Sequence, residues 1–198
     1  MSDVEIRVNR LGAEKGRGWQ AIVLAALLAL PLVVWLGAED VLGVPTERLS
    51  ENEGIELESF PGKTARLEVV VADGTWTARP SLNADSVTLT QGTSTVSIGV
   101  FGSVESLERL IERRADVVTR THTGLVATSF NDFESSVADL NGQRATLVGR
   151  NVGGGIFVVG NDSGAAATIV ALGPASQSAD TTLAVVNEFI SRFTLEGE

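Results

Sequence analysis

The segment Trp19–Gly37, WQAIVLAALLALPLVVWLG, constrains the chain most, because from Ala21 onward it holds only apolar residues and glycine. As a helix it runs about 28 Å, close to the thickness of a bilayer's hydrocarbon core. A helix satisfies its own backbone hydrogen bonds in lipid within one segment. The expectation is therefore a transmembrane helix at 19–37, with a short tail at 1–18 before it and one folded domain after it. Lys15 and Arg17 precede the run, while Glu39 and Asp40 follow it. That asymmetry places the N-terminus in the cytoplasm and the domain on the extracytoplasmic side of the plasma membrane. Trp19 and Trp35, with Lys15 and Arg17, are the expected anchors at the two membrane interfaces. The run is longer than a signal-peptide core, and Leu36 stands where cleavage after Ala38 needs a small residue, so the segment reads as retained.

Ala21, Ala25, Ala26 and Ala29 fall at three- and four-residue spacing, with Pro31 just beyond. Small residues so placed let a partner helix approach closely, and this face is the expected contact with other membrane-protein subunits. The competing reading is a plain anchor surrounded by lipid bilayer.

Residues 38–63 contain two prolines and many carboxylates, and read as an acidic linker with a short turn of helix near Thr46–Leu49. From Thr64 the pattern changes to period two. Ala65, Leu67, Val69 and Val71 alternate with Arg66 and Glu68, as in a half-buried strand. Asp73-Gly74 turns into Thr75–Arg79, where Trp76 is an aromatic anchor. Val87 and Leu89, then Val96, Ile98 and Val100, make the arms of a hairpin about Gln91-Gly92-Thr93. Ser103 is the expected cap of a helix whose stripe is Val104, Leu107, Ile111, Ala115 and Val118. Strands at Leu125–Phe130, Gln143–Arg150, Ile156–Gly160 and Ala165–Leu172 follow. The turns between them are placed at Asn131-Asp132, Asn141-Gly142, the glycine-rich Asn151–Gly155 and Asn161–Gly164. A last helix, capped by Asp180 and lined by Leu183, Val186, Ile190 and Phe193, closes the domain. The fold class is α+β, a largely antiparallel sheet packed with two helices over residues 64–198.

Little in the sequence supports catalysis. With no cysteine in the chain, disulfides, thiolate nucleophiles and a lipidated cysteine are excluded. His122 is the one histidine and has no ligand-spaced partner, so no metal or cofactor is expected. Asn151–Gly155 lacks the Gly-Lys-Ser/Thr of a phosphate loop. The pairs Glu56/Glu58 and Asp132/Glu134 are too close in sequence to imply a glycosidase cleft. The net charge of −10 is concentrated beyond the tail and repels nucleic acid.

The order of elements from Thr64 to Phe193 resembles the PsbP/Mog1-like domains of membrane-anchored envelope proteins in actinobacteria. The resemblance rests on the Trp76 segment, the hairpin Val87–Val100, helix Ser103–Thr119, the meander Leu140–Leu172 and helix Asp180–Phe193. It implies a non-catalytic role in binding or assembly, and it supplies no site residues. The chain departs from the lipoproteins of that group in having an apolar helix instead of a lipidated cysteine. The expected function is that of a single-span accessory subunit of an envelope membrane complex, the respiratory cytochrome supercomplex being the first candidate. The alternative is a free-standing tethered module that binds an envelope ligand or a soluble protein.

Overall fold

A computed structural model describes residues 46–197, apart from 136, 138, 177 and 178. These lie in a compact unit, Val44–Glu198. The tail, the apolar run and its expected contact and anchor residues lie outside the described residues. Among the described residues, no helix is long and apolar enough to cross a membrane.

Among the described residues, eleven strands and two helices build the unit. An eight-stranded sheet contains, in chain order, β1 (Glu47–Arg48), β4 (Thr77–Pro80), β5 (Ser86–Gln91), β6 (Ser94–Phe101), β7 (Val126–Glu134), β8 (Asn141–Val148), β9 (Val152–Gly160) and β10 (Ala166–Pro174). Their spatial order is β1-β4-β5-β6-β10-β9-β8-β7, and every pairing is antiparallel. A second sheet sets β3 (Ala65–Val70) between β2 (Gly54–Glu58) and β11 (Phe193–Gly197). The helices are α1 (Leu107–Thr121) and α2 (Ala179–Ile190). This is an α+β fold, as expected, but with two antiparallel sheets.

The central strands are apolar on both faces because both are covered. On one face Phe157, Val159, Ala167, Ile169, Val96 and Ile98 meet Leu57, Leu67 and Val69 of the small sheet, with Val186, Phe189 and Ile190 of α2. On the other, Ala145, Leu147, Ile156, Val158, Ala166 and Val170 meet Leu110, Ile111, Ala115 and Val118 of α1. Each fully buried aliphatic side chain contributes about 1.5–3 kcal/mol of transfer free energy.

Several expectations are corrected. Residues 46–63 are part of the folded unit: they form β1 and β2 and bury Leu49 and Leu57. Glu56 and Glu58 alternate with Ile55 and Leu57 and take the other face of β2, so acidity there marks one face of a strand. The expected turn at Asn131-Asp132 lies inside β7, where a bulge between Thr128 and Asn131 places Ser129 at a φ of 54°. Asn141-Gly142 opens β8, and Gly142 is glycine because a Cβ would come within 2.7 Å of the Phe133 ring. Gly153–Gly155 belong to β9. The first helix is capped by Ser106, whose hydroxyl accepts the Arg109 N–H at 3.3 Å, while Ser103 lies before the helix at a φ of 56°. Phe193 leaves the second helix and begins β11, pairing with Val69.

The turn from β2 to β3 contains a cis Phe60–Pro61 bond and a buried Ser59 whose hydroxyl accepts the Ala65 N–H at 2.9 Å. Glu58 meets the Lys63 ammonium at 2.5 Å and Arg66 at 3.0 Å. The hydrogen bond from Lys63, then that from Arg66, holds its carboxyl below the ordinary 4.5. A depressed folded pKa stabilises at pH above the unfolded value and is lost as pH falls through the folded one. Wild type should therefore melt slightly above Glu58→Gln at neutral pH, and the gap should close as pH falls through 4.5 and below.

Candidate functional site

Three of the residues weighed for chemistry make structural contacts. His122 is the exposed C-cap of α1, its N–H bonded to the Val118 carbonyl at 2.9 Å. Glu58 is taken up by its two cations, and Asp132 accepts a hydrogen bond from the Gln143 amide. The surfaces that carry information lie to either side of α1.

Residues three and four apart share one side of a helix. With Leu110, Ile111, Ala115 and Val118 buried against the sheet, Glu108 and Glu112 fall on one flank, and Arg113 and Arg114 on the other. Arg109, Asp116 and Arg120 run along the crest, where Asp116 and Arg120 pair at 2.8 Å. Glu108, Ile111 and Glu112 line a recess with Phe130, Asn131, Asp132 and Gln143, so the acidic flank faces β7 and β8. On the opposite flank Arg113 Nε donates to the Arg109 carbonyl of the same helix at 3.3 Å. Like charges one turn apart, as in Glu108/Glu112 and Arg109/Arg113, each cost a helix about 0.2–0.5 kcal/mol. Helix stability alone does not favour this separation of charge.

Beyond β10, on the face that α1 packs against, the sheet is lined with hydroxyls. Cross-strand register sets Arg79 against Thr88 and Thr88 against Ser97, with Thr88 and Ser97 hydroxyls 3.3 Å apart. Ser86, Gly99 and Thr168 form the next row, and Thr77, Thr90 and Thr95 another. The alternate residues Ala78, Val87, Leu89, Val96 and Ile98 point into the core. The other face of β4, β5 and β6 between Thr77 and Gly99 is thus all threonine, serine, arginine and glycine, and Thr90 and Arg79 are exposed. Two polar atoms are buried without a partner among the described residues, the hydroxyl of Thr168 opposite Gly99 and Nε of Arg114 on α1. Leaving such a group unbonded costs about 1–3 kcal/mol. Burial pushes the pKa of Arg114 below its ordinary value. A guanidinium keeps its charge through such a shift.

On the acidic side lies an open edge. The eight-stranded sheet ends at β7, a strand nine residues long, whereas β1 at its far edge has two. Seven large apolar side chains are exposed among the described residues, and four of them, Val126, Phe130, Val148 and Val152, sit at this end. Val126 and Val148 are directly opposed across β7 and β8. An edge strand of this length that exposes Val126 and Phe130 invites pairing with another chain.

Sequence reasoning identified α1's apolar stripe but neither surface beside it. The residue types were readable, whereas the strands beneath each flank follow from the order β6-β10-β9-β8-β7.

No family model matches the chain, and no curated protein matches it. Among solved structures it is similar to cyanobacterial PsbP (CyanoP) from Synechocystis sp. PCC 6803, with 11% identity and a TM-score of 0.47 over 66% of this chain and 86% of that one.

Proposed function

We propose that this chain is a non-catalytic accessory subunit of an envelope membrane-protein complex, anchored by residues 19–37 and acting through protein contact. The observation that carries the reading is the β7 edge, with Val126, Phe130, Val148 and Val152 gathered at one end of the sheet. Burying such side chains against a neighbour supplies about 1.5–3 kcal/mol each, enough for a few of them to dominate an interface. The apolar run supplies the second attachment, through Ala21, Ala25, Ala26 and Ala29 with Pro31. The actinobacterial respiratory cytochrome supercomplex is the first assembly in which to look.

Mild detergent extraction and native-gel mass spectrometry test the proposal. Wild type should migrate with stoichiometric partners, and Val126→Lys with Phe130→Lys should weaken that association by about 2 kcal/mol or more. Both positions are exposed, and lysine is well tolerated on an edge strand, so the variant should fold. Ala25→Leu with Ala29→Leu tests the helix in the same assay. Migration of the wild type alone refutes the proposal.

A further inference from the structure

We infer that the β7 edge takes up a basic, extended segment of a partner protein as an added strand, with its lysine or arginine side chains in the acidic groove between β7 and α1. This gives the partner of the proposed function its chemistry, and it rests on that reading of the edge.

Three observations converge on it. The first is the edge itself: β7 pairs with β8 on one side, and no strand covers its other side among the described residues. Such an edge presents backbone N–H and C=O groups at the spacing an incoming strand needs. The bulge at Ser129 divides it, and the half at 131–134 keeps a regular ladder. The second is what borders that half, a recess of about 420 Å³ whose walls include Glu108 and Glu112 of α1 with Phe130, Asp132 and Gln143 of the sheet. Phe133 is buried in the opposite face, so Glu134 follows Asp132 on the side of α1. The third is that all four carboxylates are exposed, and no ion pair engages any of them among the described residues.

The charge selects the occupant. Side chains alternate across a strand, so an added strand sets every second residue over the groove. Four carboxylates there, in a chain of net charge −10, favour lysine or arginine at those positions. Phe130, 47% exposed, adds a ring face that attracts a cation. A second copy of the chain would instead bring the same carboxylates against these, and like charges so juxtaposed repel. Among the described residues, no three carboxylates are grouped closely enough to hold a metal ion.

The test uses the full-length chain in detergent micelles and a fluorescently labelled synthetic peptide of alternating lysine and valine, followed by anisotropy. The peptide should bind, more weakly as salt rises, and its glutamate–valine counterpart should not. Methylating every backbone nitrogen keeps the peptide's charges but removes its strand donors, and should weaken binding about tenfold or more. Glu108→Gln with Glu112→Gln should also weaken it about tenfold or more. Glu56→Gln with Glu68→Gln, at two exposed carboxylates opposed on the small sheet, should leave it within about twofold. All four positions are exposed, so neither pair disturbs the core. No binding, equal binding of the methylated peptide, or equal loss in the two glutamine pairs overturns the proposal. Sedimentation showing wild-type dimers that Phe130→Lys abolishes gives the edge to a second copy and overturns it too. Partners that stay with the Glu108→Gln, Glu112→Gln variant on a native gel refute the basic segment but leave the assembly role standing, whereas wild type migrating alone removes that role itself.

Discussion

Replacing Gly154 with alanine should destabilise the fold by about 3–5 kcal/mol, among the largest effects of any single methyl group here. Gly154 lies in β9 between Leu172 of β10 and Leu147 of β8. A Cβ at this position would stand 1.9 Å from the Ala171 carbonyl oxygen and 2.9 Å from its carbon. Both are backbone atoms of a central strand, so no side chain can rotate away. Relief requires β9 and β10 to separate, which breaks ladder hydrogen bonds that bind the two apolar layers together. The neighbouring Gly153 is the internal control, because its Cβ would come no closer than 3.4 Å to anything. Chemical denaturation should show Gly153→Ala within about 1 kcal/mol of wild type, with Gly154→Ala far below it. Similar midpoints for the two variants contradict the close approach of the strands.

The second large effect is expected at Trp76. Its ring is 5% exposed and meets Phe189 of α2 edge-on, with centroids 5.3 Å apart at 69°. Its carbonyl accepts the Leu49 N–H at 3.1 Å, so the segment it anchors also holds the first turn of the folded unit. Trp76→Ala removes the ring from the layer between the sheets and should cost about 3–5 kcal/mol, with a fall in Tm of roughly 10 °C. The aromatic geometry adds about 0.5–1.5 kcal/mol beyond area. Trp76→Ala and Phe189→Leu together should therefore destabilise by less than the sum of the two alone. Strict additivity would mean that the rings act independently.

How much of this was legible depends on what each residue type signals. Ala65, Leu67, Val69, Val87, Leu89, Val96 and Ile98 alternate cleanly because their strands bury one face, and the strands stand where that pattern puts them. Ile55 and Leu57 carry the same signal, but the surrounding carboxylates resembled a spacer. Gly153–Gly155 read as a turn because glycine serves both flexible loops and crowded strands, and a sequence does not distinguish the two. Asn131-Asp132 likewise fits a turn, whereas a bulge at Ser129 bends the strand without ending it. Phe193 continues the spacing of α2 at Ile190, yet the helix ends there and Phe193 pairs with Val69. The surfaces flanking α1 were beyond reach for a different reason. Arg113 and Arg114 on one flank, and Glu108 and Glu112 on the other, acquire meaning from the strands beneath them.

The small sheet has a consequence for how the chain comes to be folded. Its middle strand pairs Ala65 with Gly197 and Val69 with Phe193. Contacts between residues so far apart in sequence are formed late and slowly, because a long loop must close before they reward it. As the chain emerges from the ribosome, β2 and β3 are made long before β11, so β3 can pair with β2 on one edge while its other edge lacks its partner. The small sheet is thus completed only after every segment between β3 and β11 has been made, and the β3 edge that β11 covers stays open until then.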